Sequence, residues 1–202
     1  MTNLFEPRVL VNTWPDYYLI DMVPFLANHN RLWWPDLVDF CSPENIPDYS
    51  ELGQGAAVPA FIAPTSVIVD RLPWLVSVHT DLYDIVGRLV GEPVQPSPRM
   101  EERINVCCTQ SGPFVSDLSS TPDTRFILHL FITDHINEEG QFFLGAERGR
   151  LNFPPRSGLA VLFDGSRLPH GIRPATMPMT YVQMQFAPAI VPGFRKEMAE
   201  RK

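Results

Sequence analysis

The chain has 202 residues, 45% of them hydrophobic and 19% charged, a globular composition long enough for one sizeable core. Its net charge of −7 and isoelectric point near 5.2 exclude a general nucleic-acid binder, which needs a basic surface to displace counterions. The 21 prolines, scattered along the whole length, exclude a long-helix bundle, because a helix interior does not accept them. No apolar run approaches the ~20 residues of a membrane span. Met1–Arg8 shows no basic segment followed by an apolar one, so no secretory leader is expected. Cys41, Cys107 and Cys108 are an odd set with two adjacent members, which fits buried reduced thiols and a cytoplasmic protein.

In chain order, residues 1–65 are rich in aromatics and proline, with short helices expected over Asp16–Asn28 and Trp34–Phe40 and a loop over Asn45–Pro64. The clearest helix spans residues 73–90. Pro73 suits a first turn, Leu75, Val78, Leu82, Ile85, Val86 and Leu89 repeat at helical spacing, and Gly91-Glu92-Pro93 ends it. From Glu102 the texture changes to strands: Arg103–Thr109, Arg125–Thr133, Gln141–Leu144, Gly158–Phe163, Gly171–Arg173 and Thr180–Ala187, separated by Gly, Pro, Asp or Asn. Short strands at such spacing imply a sandwich or barrel. The reading is one domain: a helical and loop layer over 1–100, a β core over 101–190 and a solvated tail over 191–202.

His79-Thr80-Asp81 spells a His-x-Asp metal pair, but it lies inside the best helix. There residues two apart point ~200° apart and cannot share one ion, so His79 is read as a satisfied helix-face histidine. Asp134 and His135 read as loop polarity, and His29 as a helix-to-loop exit. No nucleophile elbow, P-loop, dinucleotide fingerprint or Cys-x-x-Cys is present.

The second half carries a cadence of its own. Pro155-Arg156-Ser157-Gly158-Leu159-Ala160-Val161-Leu162-Phe163-Asp164 is followed by Leu168-Pro169-His170-Gly171-Ile172-Arg173-Pro174-Ala175-Thr176, and Tyr181–Ala187 closes the core. Over residues 70–187 this resembles the prolyl-hydroxylase-like branch of the iron(II)/2-oxoglutarate oxygenases. The resemblance implies a mainly β protein with N-terminal helices, a double-stranded β-helix of the jelly-roll, cupin-like kind. It also implies a His-x-Asp pair and a distal histidine on iron, with an Arg or Lys about ten residues later for 2-oxoglutarate. The distal histidine matches His170. The pair should fall within Gly112–Ser120, where one register offers Leu118 and Ser120 and another Val115 and Asp117, neither with a histidine. Thr180 stands where the cation belongs. A buried dicarboxylate would lack its counter-charge there, at a cost of several kcal/mol by rough estimate.

The resemblance also sketches a cavity. Phe131 matches the cosubstrate-facing tyrosine of the family, so His129 shares its inward face. Thr180, Val182, Met184 and Phe186 are expected inward on the last strand, Phe143 as a further wall and Asp117 at the rim. Three functions stay open on this reading. The first is a natural-product type biosynthetic enzyme that isomerises, eliminates or cyclises an apolar small molecule through His170 and His129, with no metal and no cofactor. The second is an iron(II) oxygenase with His170, His129 and Asp117 as rearranged ligands. The third is a non-catalytic small-molecule binder. No nucleic-acid or membrane partner is expected, and the sequence leaves a homodimer open.

Overall fold

The computed structural model describes residues 6–42, 60–109, 125–134, 141–145, 150–172 and 179–189. The N-terminus forms a hairpin, β1 (Arg8–Asn12) against β2 (Tyr17–Asp21). This corrects the expectation of a helix from Asp16. Tyr17–Asp21 is apolar on alternate residues in both directions. Tyr18 and Ile20 enter one core cluster, while Tyr17 and Leu19 pack on another, so a strand buries both sets and a helix would expose one. The helix starts only after Asp21, whose carboxylate accepts the Val23 N–H at 3.0 Å. It is α1 (Val23–His29), with a proline in its first turn, and α2 (Trp33–Phe40) follows as expected.

After β3 (Ala60–Ala63) come α3 (Thr65–Arg71) and α4 (Pro73–Val90). Leu75, Val78, Leu82 and Val86 line the buried stripe of α4, as their spacing predicts. Gly91 at φ 79° ends the helix, its N–H donating to the Gly87 carbonyl at 3.0 Å. The rest is β: β4 (Val94–Pro96), β5 (Ile104–Thr109), β6 (Phe126–Phe131), β7 (Phe142–Leu144), β8 (Leu151–Phe153), β9 (Leu159–Asp164), β10 (His170–Ile172) and β11 (Met179–Pro188).

Two antiparallel sheets result. The large one runs β1-β2-β9-β6-β11-β5-β3, with β4 pairing the end of β11, and the small one runs β10-β7-β8. The first hundred residues therefore supply strands to the main sheet as well as the helical layer. Those strands were not legible as such, because β3 and β4 are too short to show a period and β1 is largely exposed. One face of the large sheet packs on α1–α4, and the other packs on the small sheet. This is the double-stranded β-helix. No helix among the described residues is long and apolar enough to cross a membrane.

A half-buried ion cluster forms around one buried carboxylate. Arg125 donates through Nε to Asp164 at 2.8 Å and through a terminal nitrogen to Glu92 at 2.7 Å, with its guanidinium 4.8 Å above Phe126. Asp164 is fully buried and also accepts the Ser166 N–H and hydroxyl. The His-x-Asp string in α4 is divided between two structural partners. His79 Nε2–H donates to the Gln185 carbonyl at 3.3 Å and Nδ1 accepts from Tyr83 Oη at 3.2 Å, while Asp81 meets His29 Nε2 at 2.9 Å.

Candidate functional site

The space between the sheets is built by strand alternation, so register decides which side chains enter it. In the pairing of β6 with β11, Tyr181 lies opposite Phe131, Gln183 opposite His129 and Gln185 opposite Ile127. His129 also faces Val161 of β9 across the other edge. Ile127, Phe131, Val161, Phe163, Met179 and Tyr181 form one apolar cluster with Phe142 and Leu144 of the small sheet. His129 stands within it. Its ring lies 4.1 Å from Tyr181 at 22°, 4.4 Å from Phe142 at 27° and 5.1 Å from Phe131. It is thus sandwiched between two aromatic faces.

His129 is 3% exposed, and its Nε2 is buried with no hydrogen-bond partner. Burial pushes its pKa well below the ordinary histidine range, and the neighbouring His170 adds to that push. The ring is therefore neutral near pH 7. His170 starts β10, pairs with Leu144 and packs against Phe163 at 4.8 Å and Phe142 at 6.3 Å. Its Nδ1 is 3.2 Å from the Leu168 carbonyl. A carbonyl only accepts, so Nδ1 carries the hydrogen in this contact. Two imidazoles from different sheets thus share one aromatic interior, with Phe142 in ring contact with both.

The expected walls need correction. Val182, Met184 and Phe186 point the other way, into the core beneath the helices. Phe186 lies 4.9 Å from the His79 ring and 5.8 Å from Tyr83. Thr180 shares their parity and acts as a backbone knot: its N–H is held by Thr133 Oγ1 at 3.1 Å, and its carbonyl accepts Ile132 N–H at 3.0 Å. Phe143 is buried on the far side of β7, with the Arg150 guanidinium 4.0 Å over its ring. The inward residues are their neighbours Phe142, Met179 and Tyr181, with Gln183 and Gln185 on the same side of β11. A one-residue slip exchanges the two faces of a strand. Since β7 is buried throughout and β11 nearly so, apolar alternation could not reveal the slip. Asp117, the Gly112–Ser120 register, His135, Arg173 and the C-terminal tail lie outside the described residues.

No protein-family model matches the sequence, and neither does any curated protein. Solved structures match by shape. A prolyl hydroxylase from Trichoplax adhaerens, solved with a hypoxia-inducible-factor peptide, aligns at TM-score 0.58 and 16% identity over 94% of this chain and 88% of that one. AviO1 from Streptomyces viridochromogenes aligns at 0.59 and 17% over 88% and 92%. SnoN, the non-heme α-ketoglutarate-dependent epimerase from nogalamycin biosynthesis, aligns at 0.59 and 13% over 89% and 86%. The fold is that of the iron(II)/2-oxoglutarate oxygenases.

The described side chains that enter this space do not by themselves make a site for the metal and cosubstrate that such folds hold. Among the described residues no three His, Cys, Asp or Glu side chains converge on a point. The inward positions flanking Thr180 are Met179 and Tyr181, so correcting the parity still supplies no cation for a dicarboxylate. The orphaned Nε2 of His129 sits in a wall of phenyl rings. That environment disfavours an uncompensated anion.

Proposed function

We propose that the chain is a small-molecule enzyme on the oxygenase fold that moves protons with His129 and His170 and uses neither iron(II) nor 2-oxoglutarate. The observation that carries this reading is the buried, unpartnered Nε2 of His129 within its aromatic sandwich. Leaving such an atom unsatisfied costs roughly 1–3 kcal/mol, which a core histidine kept only for packing has no reason to bear. A neutral imidazole is a general base near physiological pH, and a second one beside it returns the proton. The reactions within reach are isomerisation, elimination and cyclisation of an apolar substrate, of the kind natural-product pathways use. SnoN, of the same fold, is an epimerase, which supports a net rearrangement as an outcome this scaffold can serve, although SnoN itself depends on α-ketoglutarate.

The test is solvent exchange. The purified protein is incubated in D2O with a library of neutral cyclic metabolites, and products are read by mass spectrometry. The expected result is deuterium entering one compound class, abolished in His129→Phe and in His170→Phe, without added metal. Stoichiometric iron on the purified protein, with turnover of 2-oxoglutarate, overturns the reading. A non-catalytic binder is the second reading, favoured by the closure of both faces of His129. It predicts a bound compound that shows no exchange.

A further inference from the structure

His129 Nε2 is not alone. Gln185 is 7% exposed, and its Oε1 is likewise buried without a partner. The two side chains arise on adjacent strands. His129 pairs with Gln183 and Ile127 pairs with Gln185, so His129 and Gln185 are diagonal neighbours on one sheet face, about 7–8 Å apart. The backbone of Gln185 is otherwise committed: its N–H donates to the Arg103 carbonyl at 2.9 Å and its carbonyl accepts from His79. Only the side-chain oxygen is left over, on a strand held firmly from both sides. Two orphaned buried polar atoms on one sheet face are a pattern that folding alone does not favour.

From this juxtaposition we infer that Gln185 and His129 form the polar floor of the small-molecule site, and that it takes a neutral, hydroxyl-bearing apolar ligand rather than a carboxylate. The inference rests on reading this face as the substrate site. An amide oxygen accepts and cannot donate, so the atom facing it must carry a hydrogen. A hydroxyl does so, and it can also donate to or accept from the imidazole in either tautomer. A carboxylate would set its charge against Oε1. Neither β6 nor β11 carries a lysine or arginine to compensate it, and the neighbouring Arg103 is engaged through Nε with the Ser97 carbonyl at 2.8 Å. The surrounding phenyl and phenol rings suit a flat hydrocarbon body. Gln185 is thus a specificity-determining residue, one that a solvent-facing reading of glutamine would pass over.

The probes are phenol and benzoate, titrated into the full chain by ligand-observed NMR, with Gln185→Leu and His129→Phe as variants. Phenol is expected to saturate one site and benzoate to bind at least tenfold more weakly. Each variant should weaken phenol at least tenfold while its melting temperature stays level or rises, since each replaces an orphaned polar group by an apolar one of similar size. Undiminished phenol binding in Gln185→Leu overturns the inference. So does preferred binding of benzoate, or a crystal soak showing only a buried water between the two atoms with no phenol displacing it. The outcome is separate from that of the exchange experiment. Phenol binding without deuterium transfer leaves the ligand class standing and removes the catalytic reading. Deuterium entering only carboxylates does the reverse.

Discussion

The imidazole of His129 lies nearly parallel to the Tyr181 ring, with centroids 4.1 Å apart and planes 22° apart. With Phe142 on its other face, the ring is closed to water on both sides, and charging it would place a cation in a hydrocarbon slot. Its pKa is depressed by that burial and by His170. The His129 ring signals in NMR should therefore stay at their neutral positions through pH 6.5, where an exposed histidine is half protonated. The native state binds fewer protons here than the unfolded one, so this group contributes stability above about pH 6.5 that is lost as pH falls. A His129 resonance that titrates like a free imidazole would remove it as a buried base.

Arg125 closes a cluster whose other end has no access to water. Asp164 is fully buried, and its charge is balanced at 2.8 Å by that guanidinium. In Arg125→Met the Ser166 donors remain, but the countercharge goes, and the loss should be about 3 kcal/mol in urea unfolding. Arg125→Lys should fall between, because an ammonium cannot serve Asp164 and Glu92 with one planar fork. The double variant Arg125→Met with Asp164→Asn should recover part of the loss. If Arg125→Met costs nothing, the cluster is solvated in solution.

What the sequence revealed follows from what leaves a period. The helix α4 was legible because its apolar residues recur on one face and Gly91 stops it. The β core and its cadence around His170 were legible from turn residues and motif spacing. His129 was placed correctly because Phe131 anchored its parity. Phe142, Met179 and Tyr181 were displaced by one position because β7 and β11 are covered on both faces, so every residue looks equally internal. Gln183 and Gln185 were missed for a related reason. A glutamine on a strand is ordinarily read as the solvated side, and here that side is the interior. Tyr17–Asp21 was misread as helix because its edges pair with β9 and β1 and its two faces pack on separate core clusters, contacts that leave no mark in the local pattern.

His79 gives the chain a pH dependence that lies away from the candidate site. The groups packed against it are Tyr83 and Phe186 as rings, the Gln185 carbonyl and, at longer range, the Arg103 charge. Burial is the largest influence and lowers its pKa to about 4, opposed by the Gln185 hydrogen bond and aided by Arg103. The unfolded chain takes up a proton near pH 6.5 and the folded chain only near pH 4, so stability rises with pH across that window. The full difference is on the order of 3 kcal/mol. His79→Gln should flatten the stability profile between pH 4 and 6.5 relative to the parent, whatever it does to stability at pH 8. A profile left equally steep would assign the acid lability to His129 and the carboxylates instead.

Gly158 ties three elements together next to the site, and its backbone admits no other residue easily. Its N–H donates to the Phe131 carbonyl at 3.0 Å, at the end of the strand that carries His129, and its carbonyl accepts the Met22 N–H at 2.8 Å, at the start of α1. Its φ is +81°, where a Cβ is strained, and a Cβ there would run into Val23 Cγ2. The strain alone costs roughly 1–2 kcal/mol, and the overlap adds to it, so Gly158→Ala should lose about 2–3 kcal/mol in total. Val23→Ala removes the obstructing methyls but leaves φ unchanged. Combined with Gly158→Ala it should therefore recover the overlap and not the strain, a non-additive result expected of touching residues. Full additivity would mean that the loop shifts instead of clashing. In that case the Phe131 carbonyl, and with it the end of β6, would move relative to His129.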